Sequence, residues 1–342
     1  MDMVQPPVPD AGAAPADPTR AAADDAARRH VPVMRDRIVA LFAEPLSRPG
    51  PTTYLDGTLG MGGHAQAVLA AHPGCRLVGI DRDPEALRLA GARLAGFGDR
   101  VHLVRAVFDE LPRALAEAGL HRVEAILLDL GLSSLQIDET GRGFSYAVDA
   151  PLDMRMDPGA PVTAAQILNE RSASDLARLF RTYGEEPFAQ RIAERIVAAR
   201  AEEPFTTSAR LVEVITAAIP MAARTGRGHP GKRVFQALRI EVNAELDALR
   251  RALPAALDAL SLGGRLAVLA YHSLEDRIVK QTFAAAVADA APPGLPVVPE
   301  ALKARFRLVT RGAERPDADE VSVNPRSASA RLRVIERVRE AA

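Results

Sequence analysis

One glycine-rich stretch decides the fold: Asp56-Gly-Thr-Leu-Gly-Met-Gly-Gly-His64. It follows a short apolar segment at residues 53–56, which reads as a strand, and it leads into a helical pattern that ends near residue 71. Glycines at a strand-to-helix turn let a ligand approach the backbone and leave the first N–H groups of the helix open to it. The stretch therefore predicts a ligand-binding turn, and a structural turn with incidental glycines is the alternative.

Strand and helix patterns alternate along the chain after this turn. The strands predicted by this pattern cover residues 76–81, 101–105 and 124–130, with helices at 84–95 and 110–118 between them. Repeated strand–helix units predict an α/β fold, with a parallel sheet that helices cover on both faces.

The alternation then stops and resumes much later. Residues 136–158 read as a long ordered loop, and residues 163–218 give only helical patterns. A single helix at 231–257 and a strand at 265–271 return to the sheet, and two late strands, at 305–310 and 330–337, are expected to pair antiparallel at its edge. We therefore predict a core formed by residues 30–136 plus 230–342. An all-helical insertion at 137–229 would then serve substrate recognition.

Composition sets the class of protein. The chain has 342 residues, of which 48% are hydrophobic and 25% charged, as in a soluble globular protein. No apolar run approaches the roughly 18 to 20 residues of a membrane span, which excludes a transmembrane protein. Residues 1–29 lack a secretory signal and are expected to form a disordered tail on a cytoplasmic protein. The lone Cys75 and the absence of metal-ligand spacing predict neither a disulfide nor a metal site.

Local charge indicates more than the net charge of −1. Between residues 222 and 240 five basic side chains occur without an acid: Arg224, Arg227, Lys232, Arg233 and Arg239. A solvated helix face is the simplest interpretation of such a run. A surface for nucleic-acid phosphates is the alternative.

An acidic residue ends the second predicted strand. Asp81 lies 21 positions after Gly60, where a carboxylate can accept hydrogen bonds from both hydroxyls of a ribose. The neighbouring Asp83 precedes a proline and is predicted to cap the next helix instead. A nicotinamide site would need G-x-G-x-x-G, which is missing here. The order Asp56-x-x-x-Gly60-x-Gly62 resembles the loop of S-adenosylmethionine (SAM) methyltransferases, although Thr58 stands where many of them have glycine.

Two further residues follow later strands. Phe108 lies where an adenine ring would pack, with an ordinary core position as the alternative. Asp129 ends the fourth strand at the carboxyl edge of the sheet, where ligands bind in such folds. A helix cap is the alternative for Asp129.

Many long strings resemble the bacterial RsmH (MraW) family from about residue 30 to residue 337. They are the glycine-rich stretch and His30-Val-Pro-Val-Met34, Leu127-Leu-Asp-Leu-Gly-Leu-Ser-Ser134, Arg142-Gly-Phe-Ser145, Pro151-Leu-Asp-Met-Arg-Met-Asp157, Thr182-Tyr-Gly-Glu-Glu186, Phe235-Gln-Ala-Leu-Arg-Ile240 and His272-Ser-Leu-Glu-Asp-Arg-Ile-Val-Lys280. The resemblance implies a class I Rossmann-like, SAM-dependent methyltransferase core with an inserted helical domain. The reaction that it implies is methylation of N4 of a cytidine in the decoding centre (P site) of 16S ribosomal RNA.

The resemblance also implies which residues contact SAM. Carried over position by position, they are Gly62, Gly63, His64, Asp81, Phe108, Asp129 and Gln136. Two positions depart from the usual family pattern, since Ala65 replaces a serine and Leu135 replaces a proline.

The catalytic group is left open, because the proline-rich loop of many amino-methyltransferases is missing after Asp129. The candidates are Ser133, Ser134, His272 and Ser273, and a helix-capping role is the alternative for His272. The expected RNA contacts are Arg224, Arg227, Lys232 and Arg233. A methyltransferase for another acceptor and a non-catalytic SAM-binding RNA scaffold remain as alternative functions.

Overall fold

A single sheet organises the chain in the computed structural model, which describes residues 31–224, 229–292 and 297–340. Its strands within these ranges are β1 Thr52–Asp56, β2 Cys75–Asp81, β3 Val101–Arg105, β4 Val123–Asp129, β5 Leu260–Ala270, β6 Phe306–Leu308 and β7 Arg331–Arg337. Their order across the sheet is β3-β2-β1-β4-β5-β7-β6. Strands β1 to β5 are parallel, and β7 runs antiparallel to both β5 and β6. The predicted parallel sheet and its antiparallel edge are confirmed.

Helices cover both faces of this sheet, which is why its central strands are buried along nearly their whole length. The helices of the described residues are α1 Arg35–Leu46, α2 Gly63–Ala71, α3 Pro84–Leu94, α4 Leu111–Glu117, α5 Ser134–Asp138, α6 Ala164–Glu170, α7 Ala173–Gly184, α8 Ala189–Glu202, α9 Ser208–Ala218, α10 Met221–Arg224, α11 Lys232–Asn243, α12 Glu245–Ala259, α13 Ser273–Ala286 and α14 Ala318–Val323. Tyr54 and Leu77 point into one apolar cluster, with α1, α2 and α3. Leu55 and Val78 point into the other, with α4, α12 and α13.

The strand order places the ligand crevice. From β1 the chain builds β2 and β3 on one side and then crosses to β4 on the other side. The connections that leave β1 and β4 therefore diverge at the carboxyl ends of these two strands, and a crevice opens between them. The glycine-rich stretch leaves β1 at this point.

The helical insertion has an apolar core of its own. Its buried side chains include Phe180, Ile192, Phe205 and Ile215, which come from α7, α8 and α9 and the loop between them. Residues of α11, Phe235 among them, belong to the same cluster. None of the described helices combines the length and the apolar character needed to cross a membrane.

The prediction of a single helix at 231–257 is wrong, because the helix is interrupted at Ala244. This residue has a φ of 50°, in the left-handed region, and it separates α11 from α12. A non-glycine residue in this conformation has no clear sequence signal, since alanine favours helix interiors. The break turns α12 onto the sheet while α11 stays with the helical cluster.

Buried polar contacts hold the loop that joins β4 to the insertion. Arg142 donates from Nη2 to Asp83 Oδ2 at 2.7 Å and to the carbonyl of Met156 at 2.8 Å. Asn243 accepts the N–H of Met156 at Oδ1 and donates from Nδ2 to the carbonyl of Met154, both at 2.8 Å. The loop is therefore fixed both to the core, through Asp83, and to the end of α11.

We predict that Gly143→Ala destabilises the protein far more than Gly119→Ala. Both glycines have positive φ values, 75° and 71°. A Cβ at Gly143 would clash with the carbonyl oxygen of Pro151, whereas a Cβ at Gly119 would meet nothing within 4 Å. The expected loss in unfolding free energy is about 1 kcal/mol for G119A and about 3 kcal/mol or more for G143A. Urea unfolding measures both values, and equal losses would contradict the tight packing of this loop.

Candidate active site

A cavity of about 300 Å³ lies at the carboxyl ends of β1, β2, β4 and β5. This volume is within the range of small-molecule and cofactor sites. Seven residues expected from the sequence line it: Gly63, His64, Asp81, Phe108, Asp129, Ser133 and Gln136. Gly62, His272, Ser273, Lys232 and Arg233 are not among its lining residues.

The glycine-rich stretch forms one wall of this cavity. Gly60 has a φ of 52° and donates its N–H to Asp81 Oδ2 at 2.7 Å. Gly62, with a φ of 75°, backs onto α3, where an added Cβ would lie 3.4 Å from Ala90. A Cβ at Gly63 would lie 2.6 Å from Pro32. Gly60 therefore shapes the wall, while Gly62 and Gly63 allow close packing behind it.

The hydroxyl group of Thr58 makes a structural contact within this turn. Its Oγ1 accepts the backbone N–H of Asp129 at 2.6 Å, and its own N–H donates to Asp56 Oδ1 at 3.3 Å. The side chain thus links the ends of β1 and β4 directly. Asp56 is buried beneath the turn, where burial raises its pKa to about 6, and it also accepts a hydrogen bond from Tyr54 at 2.8 Å.

The acids at the end of β2 and just after it have different contacts, and the predicted cap at Asp83 is confirmed. Asp83 is fully buried and caps α3, because its Oδ1 accepts the N–H of Glu85 at 3.1 Å. Asp81 faces the cavity, although its oxygens already accept the N–H groups of Gly60 and Asp83. Burial raises the pKa of Asp81 to about 6.

Asp129 belongs to a polar cluster that sequence reasoning found only in part. Tyr271 donates its hydroxyl to Asp129 Oδ1 at 2.7 Å, and His64 Nε2 lies 3.5 Å from Asp129 Oδ2. His64 is 6% exposed, and neither of its ring nitrogens has a hydrogen-bond partner among the described residues. Tyr271 was missed, yet its place directly after β5 is the signal that could have found it.

Two catalytic candidates at the start of α13 have capping and surface contacts instead. His272 caps this helix, since its Nδ1 accepts the N–H of Glu275 at 3.4 Å. Ser273 donates its hydroxyl to Glu185 Oε2 at 2.8 Å, in the loop after α7. The capping alternative for His272 therefore describes its position in the structure.

Ser133 and Gln136 form a capping box at the start of α5. Ser133 Oγ accepts the N–H of Gln136 at 3.3 Å, and Gln136 Oε1 accepts the N–H of Ser133 at 3.1 Å. Leu135, which departs from the family pattern, is buried against Leu89 of α3. Apolar packing therefore accommodates the substitution. The side chain of Ser134 lies outside the described residues.

The basic segment is described only in part. Lys232 is exposed at the start of α11, and Arg233 donates from Nη1 to the carbonyl of Glu185 at 3.2 Å. Arg227 and the side chain of Arg224 lie outside the described residues. Of the basic residues in this segment whose side chains the structure describes, Arg239 lines the cavity, where it pairs with Glu245.

Comparison with known proteins now assigns the family. A family described as the MraW methylase family matches residues 27–338. The chain belongs to this family. Ribosomal RNA small subunit methyltransferase H of Cutibacterium acnes is 63% identical to this methylase over 311 residues, which cover 91% of this chain and 92% of that protein. The protein of the same name from Saccharopolyspora erythraea is 59% identical over 313 residues, which cover 92% and 94% of the two chains.

We predict that Thr58→Val weakens both the fold and cofactor binding, whereas Thr58→Ser does not. Valine keeps the shape of threonine but leaves the partly buried N–H of Asp129 without its acceptor. The expected cost in unfolding free energy is about 1 to 3 kcal/mol, with a parallel loss in SAM affinity. Thermal unfolding and calorimetric titration with SAM provide the two measurements. Comparable losses in T58S would show that the methyl group, and not the hydroxyl, matters.

Proposed function

We propose that this methylase transfers a methyl group from SAM to N4 of a cytidine in the decoding centre of 16S ribosomal RNA, within the small ribosomal subunit. The observation that carries the proposal is the cavity at the carboxyl ends of β1, β2 and β4, whose wall combines the glycine turn with Asp81 and Asp129. The relatives called ribosomal RNA small subunit methyltransferase H support the choice of substrate.

The described residues suit SAM in charge and in shape. The Asp81 carboxylate would accept hydrogen bonds from the ribose hydroxyls, and the half-buried ring of Phe108 would pack against the adenine. His64 lines the same cavity, and its buried ring nitrogens, which have no hydrogen-bond partner among the described residues, would bond to a ligand placed there. Gln136 and Asp129 complete the polar lining, and Gly60 and Gly63 contribute backbone to the wall.

The reaction depends more on alignment of the amine with the methyl group than on strong acid–base catalysis. The exocyclic amine of cytosine is a poor nucleophile, because its lone pair is delocalised into the ring. SAM supplies an electrophilic methyl group when it is bound. The protein must hold the amine in line with that group, at a distance from which attack can occur. A hydrogen-bond acceptor for an amine hydrogen would help to localise the lone pair.

The target base must leave its stack to reach this cavity. In this proposal the helical insertion at 137–229 and the basic segment beside it hold the RNA around that base. We assign phosphate contacts to Arg224, Arg227, Lys232 and Arg233. Ser133, in the cavity wall, stays a candidate for the amine acceptor, whereas His272 and Ser273 have less support because of their contacts.

Transfer of a labelled methyl group tests the proposed function. Small ribosomal subunits that lack the modification are incubated with the protein and labelled SAM, and the nucleosides of the recovered RNA are separated. The expected product is N4-methylcytidine. Label in another nucleoside would support a different acceptor. SAM binding without label would support the non-catalytic scaffold.

We predict that SAM binding weakens as the pH falls through 6. Protonation removes the charge of the Asp81 carboxylate and turns one of its oxygens into a donor, so the group holds the two ribose hydroxyls less well. With a pKa of about 6, the dissociation constant should rise about tenfold between pH 7.5 and pH 5. Calorimetric titration across this range measures the effect. In Asp81→Asn the affinity should be low at every pH, and this rise should vanish. Equal pH dependence in parent and variant would assign the titration to another group, such as Asp56.

A further inference from the structure

The break at Ala244 directs an acidic side chain into the cavity. Glu245 is the first residue of α12, only 8% exposed, and it lines the cavity together with Leu249 one turn later. Burial raises the pKa of Glu245. A carboxylate at such a position carries a desolvation cost that a ligand or a partner must offset.

Arg239 is the ion-pair partner of Glu245, and some polar atoms of both side chains stay free to bond to a ligand. Its Nε donates to Glu245 Oε1 at 2.9 Å, and its side chain is 15% exposed. Within the described ranges, the two terminal amino groups of Arg239 and the second carboxylate oxygen of Glu245 have no further hydrogen-bond partner. The cavity wall therefore presents two donors beside one acceptor.

Glu275, a second buried acid in the same wall, is already engaged. Its Oε2 accepts the backbone N–H groups of Tyr271 at 2.8 Å and His272 at 3.1 Å. Its Oε1 lies 3.2 Å from His272 Nε2. Glu275 therefore serves the start of α13, and Glu245 is the acid with a free oxygen.

The position of α12 places Arg239 and Glu245 away from Phe108, the residue proposed to pack against the adenine. Arg251, six residues after Glu245, donates from Nε to Asp109 at 2.8 Å, and Asp109 adjoins Phe108. Six helical residues span about 9 Å, so Glu245 lies that far along the helix from the Phe108 end. At its own end α12 meets Glu275 and His272, next to β5.

We propose that Arg239 and Glu245 bind the Watson–Crick edge of the target cytosine. The free oxygen of Glu245 accepts a hydrogen from the N4 amine, and the terminal amino groups of Arg239 donate to N3 and O2. The pattern matches cytosine, which has one donor and two acceptors on this edge. Uracil would place a carbonyl oxygen against the carboxylate and is rejected. This inference rests on the proposed function and names the residues that select its substrate.

The same contact assists the reaction. The amine nitrogen forms its bond to the methyl carbon while the carbon–sulfur bond breaks, and the bonding pair of that bond stays on sulfur. The amine then loses one proton, which the carboxylate of Glu245 accepts and passes to solvent. Because Glu245 already holds an amine hydrogen before attack, the lone pair is directed away from it and toward the methyl group.

The first test compares Glu245→Gln with a matched control. Gln keeps the size of the side chain and can still accept from Arg239, but it carries no charge and can turn a donor toward the amine. We expect single-turnover methylation of unmodified small subunits to fall about 100-fold, with SAM affinity within twofold of the parent. The control variant, Glu336→Gln, changes an acid that is buried to a similar degree but does not line the cavity. Glu336 pairs with Arg265 at 2.9 Å. This variant should keep the parental rate.

The second test separates recognition from simple ion pairing. The double variant R239E/E245R restores an ion pair with the donor and the acceptor exchanged. If the pair were only structural, the double variant would recover both the melting temperature and the methylation rate. We expect the rate to stay low even where the melting temperature recovers, and if the double variant does not fold, the E245Q rate decides.

The parental reaction keeps the two proposals distinct. If the parent forms N4-methylcytidine and E245Q matches its rate, the assignment of Glu245 is overturned and the proposed function stands. If the parent forms no N4-methylcytidine on these subunits, the proposed function fails and the inference fails with it.

Discussion

The side chain of Asp83 joins the two parts of this molecule. One of its oxygens caps α3, and the other accepts hydrogen bonds from Arg142 at 2.7 Å and from Gln136 at 3.4 Å. A fully buried carboxylate is costly unless its oxygens are satisfied, and here several donors share that cost. Because Arg142 also holds the carbonyl of Met156, the loop that leads to the helical insertion is fixed against the core.

The contacts of Asp83 and Arg142 also help to position residues that line the cavity. The strand ends supply the wall with the glycine turn, Asp81 and Asp129, which suits a nucleoside-containing cofactor. The facing wall comes from Met156, Arg239 and Glu245, which the loop and the junction of α11 with α12 bring into place. Residues of the core and residues of the loop and of α11 therefore line one cavity that neither part of the chain forms alone.

The acids around the cavity are distinguished by their partners and not by their residue type. Asp81 accepts backbone N–H groups and stays open to the cavity, whereas Asp129 accepts from the Tyr271 hydroxyl. Glu275 is engaged by backbone donors, and Glu245 has one arginine partner and one free oxygen. The number of donors that each carboxylate already holds decides which of them can serve a ligand.

The sequence by itself determined the strand–helix alternation, the glycine turn, Asp81 and the capping role of Asp83, because periodicity and short spacings are local properties. It also supplied the strings that identify the family. Only the tertiary structure decided the bond between Thr58 and Asp129, the Tyr271 contact, and the break at Ala244 that aims Glu245 at Arg239. The first two join residues far apart in the chain, and the break depends on a left-handed alanine that packing imposes against its helical preference. For this reason the residues proposed to bind the cofactor could be named from the sequence, while those proposed for the target base could not.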